Sequence, residues 1–437
     1  MTPRLRILLI QPAWDGLSYR RKVKVNEHAI HPLAVGVVAA LCGDHDVRIV
    51  DEAREAVPDT AQGFDGVGIS VNTFNAPRAY RLADRFRAGR VPVIFGGPHT
   101  ALLPEECLQH ADSIVVGDAE GVWPEVLADL ADRRLKPRYT AAPGHGAPMP
   151  APRRDLFRQS SRQVAWCQLS RGCSNQCRFC YLQYLPHHGM RLRAVGSVVD
   201  ELRSLPQRVV LFVDDNVFCE RAYTREVLEA IIPLRKRWWI QAPTSIHEDE
   251  GLIPLMAQSG CYAVSIGFQT ASNLNNQNER IFQNRVEHYA ALVRLLHGQG
   301  ILVDGTFIFG FDGDDPGTFA ATAELIRRLE LDSYTFYFLT PYPGTDYFAQ
   351  FEREGRILHR DWSKFDWDHV VVRPKQMTVE DLRDGVQGLY QRLDRGYFFQ
   401  NAWRHRSIHR RNSRCWALQS FLLSTGWAYY RSPILRD

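Results

Sequence analysis

The chain has 437 residues, about three times the ~150 residues of an average domain, so two or three domains are expected. With 45% apolar and 23% charged residues it is neither disordered nor collagenous, and a net charge of +4 gives no general argument for nucleic-acid binding. Nine cysteines, an odd number scattered except for one cluster, do not form a secreted disulfide framework. Four apolar residues before Gln11-Pro12 are too few for a signal-peptide core, and there is no apolar run of about 18 residues, so the expected compartment is the cytoplasm.

Residues 1–140 alternate short β-branched runs with stretches of helical period. Strands are predicted at 6–10, 47–50, 66–71, 93–95 and 113–116, and helices at 32–41, 76–87, 103–109 and 122–131. Such alternation specifies a doubly wound parallel sheet covered on both faces, which binds ligands beyond the carboxyl ends of its strands. The residues there are Pro12, Ser70, Asn72, Thr73, Gly96, Gly97, His99, Gly117 and Glu120. Residues 141–162 are rich in Pro, Gly and Ala and read as an extended linker.

The strand–helix rhythm returns over 163–345. Strands are expected at 164–169, 208–213, 238–241, 262–267, 302–309 and 333–339, with helices at 198–205, 221–234, 252–258, 286–298 and 316–329. Six such units predict a partial α/β barrel, a fold that carries its chemistry at the carboxyl ends of the strands. Residues 346–437 lose the rhythm and read as helical, with helices at 347–354, 379–395 and 415–429.

The sharpest feature is Arg171-Gly-Cys173-Ser-Asn-Gln-Cys177-Arg-Phe-Cys180, just after the first barrel strand. Thiolates are soft ligands for iron–sulfur clusters or zinc. A closed zinc site needs a fourth ligand, for which Cys167, His187 and His188 are candidates. Three cysteines on a four-iron cluster instead leave one iron open for a substrate. The C-x3-C-x2-C spacing, with an aromatic before the last cysteine, resembles the radical S-adenosylmethionine (SAM) superfamily. The resemblance implies that Cys173, Cys177 and Cys180 hold a [4Fe-4S] cluster, that Phe179 lies against the SAM adenine, and that a 5′-deoxyadenosyl radical abstracts hydrogen from a substrate. It places Asp214 or Asp215, after the second strand, on the SAM ammonium. Gln269, after the fourth strand, stands where the family usually has Glu. The loop Thr340-Pro-Tyr-Pro-Gly-Thr345 also matches, and shapes the substrate mouth.

The first region resembles the cobalamin-binding domain that precedes the barrel in one radical SAM branch, through stretches such as Phe95-Gly-Gly-Pro-His99 and Val116-Gly-Asp-Ala-Glu120. The Asp-x-His-x-x-Gly stretch of other cobalamin domains is missing from the sequence. The combined resemblance, to enzymes of the hopanoid methylase and magnesium-porphyrin cyclase type, implies a cobalamin-dependent enzyme. The reaction it implies is methylation of an unactivated carbon of a hydrophobic or natural-product metabolite, with radical oxidative cyclisation or rearrangement without methyl transfer as the alternative. A one-electron reductant such as flavodoxin or ferredoxin is implied as partner. Seven arginines and an aromatic-rich run after Asn401 suit either a terminal helix docked on the barrel or peripheral contact with an anionic membrane. Tyr337, Tyr342 and Trp367 are candidates to line the substrate site, beside the plainer reading of core aromatics.

Overall fold

The computed structural model describes residues 3–14, 32–59, 63–142, 148–157, 164–186, 189–393 and 395–412. Six strands form the first sheet: β1 (Arg6–Gln11), β2 (Asp46–Asp51), β3 (Gly66–Ser70), β4 (Val93–Gly96), β5 (Ser113–Val116) and β6 (Arg138–Thr140). Alternation along β1 sends Ile7 and Leu9 to one face and Leu8 and Ile10 to the other, and each pair enters a separate buried cluster. Burial on both faces is the signature of a parallel sheet. The order is β2-β1-β3-β4-β5-β6, and every pairing is parallel.

β6 was not foreseen. It is three residues long, and only Tyr139 at its centre is buried, so it has no period to read. In the segment that follows, the described residues 148–157 include a helical turn at Arg154–Leu156 and are held against the first sheet. Pro152 and Phe157 pack beside Gly36 in the helix Leu33–Ala40, and Phe157 joins the core of the first sheet.

The second sheet is built from β7 (Val164–Cys167), β10 (Val209–Phe212), β11 (Arg237–Ala242), β12 (Cys261–Gln269), β13 (Leu302–Phe309) and β14 (Ser333–Phe338). A separate two-stranded ladder, β8 (Ser170–Arg171) with antiparallel β9 (Arg191–Leu192), lies between the first two of these. The order β14-β13-β12-β11-β10-β7 is sequential and parallel, the open six-unit barrel expected. The outward face of β12 and β13, with Val264, Ile266, Phe268, Val303, Phe307 and Phe309, packs under the helices. The alternate positions start with buried Ala263 and Leu302 and turn polar toward the carboxyl ends, with Ser265, Asp304 and Thr306.

The carboxyl-terminal helices Val379–Arg392, Arg395–Arg404 and Arg406–Arg411 pack on the barrel. Asn401 donates to the carbonyls of Glu330 and Leu331, and Asn412 to Gly300. Through Asn401 and Asn412 the described residues 401–412 therefore dock near the amino-terminal ends of β14 and β13. The predicted helix at 415–429 lies outside the described residues, as do His187 and His188. No helix among the described residues is long and apolar enough to cross a membrane.

Candidate functional site

The cysteine loop is set by what precedes it. Past β7 the chain turns, and the backbone N–H groups of Leu169 and Ser170 and the Ser170 hydroxyl all donate to Asp214. Gly172 has φ +95°, and a Cβ there would stand 2.2 Å from the carbonyl oxygen of Gly189, so only glycine lets β8 lie against the strand returning from the loop. The next residue, Asp215, accepts from the Gly172 N–H at 2.8 Å.

The three cysteines follow. Asn175 N and Asn216 Nδ2 donate to Cys173 Sγ at 3.4 and 3.5 Å, and Gln283 Nε2 to Cys177 Sγ at 3.8 Å. Burial pushes the Cys180 thiol up to about 12 and raises Cys177. Among the described residues no three His, Cys, Asp or Glu side chains stand around one point. The donor set nonetheless fits a cluster: three soft thiols on one short loop, with N–H donors already directed at two of the sulfurs, the contacts that tune iron–sulfur centres.

Cys167, a candidate fourth ligand, is fully buried in β7 within the barrel core. The thiol that does reach the loop is Cys219. It hydrogen-bonds Cys173, and this contact with Cys173 and Ser174 lowers its pKa while raising that of Cys173. In the sequence Cys219 stands among the scattered cysteines, 39 residues past Cys180. Its position in the turn after β10, beside Asn216, is the signal that marks it.

A cavity of about 330 Å³ lies between the carboxyl ends of the two sheets. The first sheet contributes Gly68, Ser70, Gly96, Gly97, Gly117 and Glu120, and the helix Leu33–Ala40 an apolar wall. The barrel side contributes Gln168, Arg171, Tyr181, Val213 and Asp215. A Cβ on Gly96 would meet nothing within 4 Å, so this edge is open space. Small residues on the floor and polar groups at the rim suit a broad, flat ligand with polar appendages, as cobalamin is.

Four of the candidates from the first sheet do not line this cavity: Pro12, Asn72, Thr73 and His99. Beyond Ser70 the chain turns toward the opposite face. His99 is fully buried there, with Thr73 Oγ1 at 3.1 Å from Nδ1 and Tyr80 Oη at 3.0 Å from Nε2. Tyr80 donates to Glu106, which also accepts from Trp362 Nε1 at 2.9 Å. That network spends His99 on joining the first sheet to the segment after the barrel. Asp214 is likewise corrected. Its oxygens are taken by the turn before the cysteines, and burial raises its pKa to about 7, so it does not suit a cation. Asp215, exposed to the cavity, remains.

Gln269 ends β12 with φ +63°, where the register with β13 shifts. Its amide folds back over Gly267, in space that a Cβ on Gly267 would occupy. Bulges of this kind re-aim side chains beside active sites. Phe179 packs on Phe311 with ring centroids 6.0 Å apart. Tyr342 is buried and Tyr337 half-buried, while half-buried Trp367 lies between Tyr342 and Phe74 of the first domain. Gly344, at φ +78°, comes so close to the helix Pro98–Leu102 that a Cβ would stand 2.2 Å from the Leu102 oxygen. The Thr340–Thr345 loop thus fastens the two domains together.

The description "B12 binding domain" fits residues 23–127, and "Radical SAM superfamily" fits residues 167–326. The chain is 31% identical to the bacteriochlorophyllide d C-12(1)-methyltransferase of Chlorobaculum tepidum, over 90% of this chain and 88% of that one. It is 26% identical to the anaerobic magnesium-protoporphyrin IX monomethyl ester cyclase of Rubrivivax gelatinosus, over 80% and 68%. The radical SAM methyltransferase TsrM of Kitasatospora setae, solved with cobalamin and a [4Fe-4S] cluster, superimposes with a TM-score of 0.64 at 18% identity, covering 80% of this chain and 78% of that one.

Proposed function

The chain belongs to the radical SAM superfamily, in the branch whose barrel follows a B12-binding domain, and from that premise we propose that it methylates an unactivated carbon of a hydrophobic polycyclic metabolite of the tetrapyrrole kind. The observation that carries the reading is the cavity shared by the carboxyl ends of both sheets, which lets groups held by the two domains face one substrate.

When bound, the cluster supplies the electron that splits SAM, and cobalamin supplies a transferable methyl group. The chain's own part is binding, orientation and exclusion. Cys173, Cys177 and Cys180 hold the cluster, with Asn216 and Gln283 donating to their sulfurs. Asp215 takes the SAM ammonium, Gln269 offers an uncharged hydrogen-bonding amide, and Phe179 lies along the adenine. Ser70, Gly96, Gly97, Gly117 and Glu120 cradle cobalamin. Tyr181, Leu182, Leu185 and Pro186, just past the last cysteine, close the cavity against water. A small one-electron carrier, a flavodoxin or ferredoxin, delivers the electron.

The test is anaerobic turnover of protein reconstituted with iron and cobalamin, given SAM and a chlorin. Joint formation of S-adenosylhomocysteine, 5′-deoxyadenosine and a product heavier by one methylene supports the reading. A protein that holds zinc and no iron would refute it. The relationship to the magnesium-protoporphyrin cyclase supports a second reading, radical cyclisation, which would give 5′-deoxyadenosine without S-adenosylhomocysteine.

A further inference from the structure

We propose that the surface formed by Leu274, Arg280, Phe282 and Arg285 docks the acidic one-electron carrier and is where the electron enters. The proposal rests on Cys177 being a cluster ligand. These residues belong to the excursion between β12 and the helix Val286–Gly298. Phe282 is 69% exposed and Leu274 62%, two of the most exposed large apolar side chains among the described residues. Exposed apolar groups ringed by polar ones mark interaction sites. Arg280 and Arg285 are exposed beside them. Exposed Glu287 accepts from Asn273 at 3.0 Å and feels the positive charge of Arg285, so one acid stands against the two arginines. The patch therefore presents positive charge around an apolar centre, the complement of an acidic carrier.

Position sets this patch apart from the other exposed apolar groups. Gln283, next to Phe282, donates to Cys177 Sγ. Arg178 N, between two of the cysteines, donates to Glu279 O at 3.0 Å, so the cysteine loop and this excursion are directly joined. The excursion is also rigidly held. Buried Thr244 donates to Gln283 O at 2.7 Å, and Asn284 donates to the carbonyls of Gly267 and Phe268 at the end of β12. A carrier seated on Phe282 stands one residue from a side chain that touches a cluster sulfur. One electron leaves the reduced carrier and enters the centre, with no bond made or broken. Electron-transfer encounters are small and transient, below ~1,200 Å², and charge steers them.

The experiment uses holoprotein and a reduced flavodoxin, with dithionite as a reductant that needs no docking surface. Cluster bleaching is followed by stopped flow across a salt series, and binding of oxidised flavodoxin by calorimetry. Arg280→Glu/Arg285→Glu is expected to slow reduction by flavodoxin about tenfold or more at low salt and to reverse the salt dependence, because steering contributes factors of about 10–1,000 and the attraction has become a repulsion that salt screens. Phe282→Ser should weaken flavodoxin binding while the salt dependence persists. Iron content and reduction by dithionite should stay at the wild-type level. Unchanged flavodoxin rates and affinity in these variants would overturn the proposal, and so would equal losses with dithionite, which would make the patch structural. A wild-type protein that binds no iron would instead bring down the assignment of Cys177, and the proposal with it.

Discussion

Replacing Asp214 by Asn should remove a specific part of the protein's pH dependence. Burial drives the Asp214 carboxyl from 3.8 up to about 7, although the Ser170 hydroxyl and the backbone amides of Leu169 and Ser170 pull it the other way. A carboxyl whose folded pKa lies above its unfolded one holds more protons in the folded state. Its contribution to stability is therefore full below about pH 4 and is lost as the pH rises toward 7. A shift of about three units corresponds to ~4 kcal/mol, at ~1.36 kcal/mol per unit. For a unit of 150–250 residues, which is the size of the barrel, that is roughly 8–16 °C of melting temperature at ~2–4 °C per kcal/mol. The assay is the melting temperature of wild type and Asp214→Asn between pH 4.5 and 7.5. Because the unfolded carboxyl is already mostly ionised at pH 4.5, about 3 kcal/mol of this falls inside the window, and the wild type should fall more steeply than the variant by roughly 6–12 °C. Asp314, also raised to about 7 by burial and held by Gly310 N, Phe311 N and Asn275, is unchanged in both proteins and cancels in the difference. At the acid end both side chains are uncharged in the folded state, and the remaining difference reads hydrogen bonding together with the ~1 kcal/mol already lost to ionisation of the unfolded chain. Parallel profiles would refute the burial argument. A variant with the wild-type profile and no SAM binding would return Asp214 to the role of ammonium partner.

Three further outcomes follow from single contacts. Asp215→Asn should leave the melting profile alone and weaken SAM binding, measured by equilibrium dialysis, roughly tenfold to a hundredfold, for the ~1.5–3 kcal/mol of a hydrogen bond to a charged group. Cys219→Ser should hold as much iron as wild type, whereas Cys177→Ala should lose it; iron loss in the Cys219 variant would point to a closed four-thiol site instead. Gly344→Ala puts a Cβ 2.2 Å from the Leu102 carbonyl oxygen and should loosen the first domain from the barrel. Cobalamin retained through gel filtration would then fall while cluster iron stays.

Much of this architecture was legible because its signals are local. Short β-branched runs and helical periods each need only a window of neighbours, and they located the strands of both sheets apart from β6 and the β8–β9 ladder. C-x3-C-x2-C is also local. What stayed hidden depends on residues that are distant in the chain. Cys219 looked like any packing cysteine until the turn after β10 brought it to Cys173. His99 sat at a strand's carboxyl end, as a ligand would, but Thr73 and Tyr80 had claimed both of its nitrogens. Asp214 and Asp215 are neighbours of identical chemistry. Only the fold shows that one caps the chain before the cysteines while the other faces the cavity. β6 and the β8–β9 ladder are too short to carry a period, and they exist because longer strands beside them supply partners.

The two cofactor sites should not be independent. Arg171, two residues before the first cysteine, pairs with Asp118 at 3.1 Å and Glu120 at 2.8 Å, both at the end of β5 in the first domain. Arg191 on β9 reaches the same two carboxylates, 3.5 Å from Glu120. Glu120 is almost wholly buried, and removing its charge leaves Arg171 and Arg191 sharing Asp118, which weakens the network that joins the two domains. Glu120→Gln should therefore disturb both sides of the cavity, lowering cobalamin affinity and also the resistance of cluster iron to a chelator. If the network couples the sites, filling one changes the affinity of the other, and by linkage the factor is the same in both directions, typically 5–150-fold for ~1–3 kcal/mol. Cobalamin affinity measured with and without the cluster gives that factor, and cluster affinity with and without cobalamin must reproduce it. The Gln variant should bring both factors toward unity. If it weakens cobalamin binding alone and leaves the coupling intact, Glu120 is a cobalamin contact and the two domains communicate by another route.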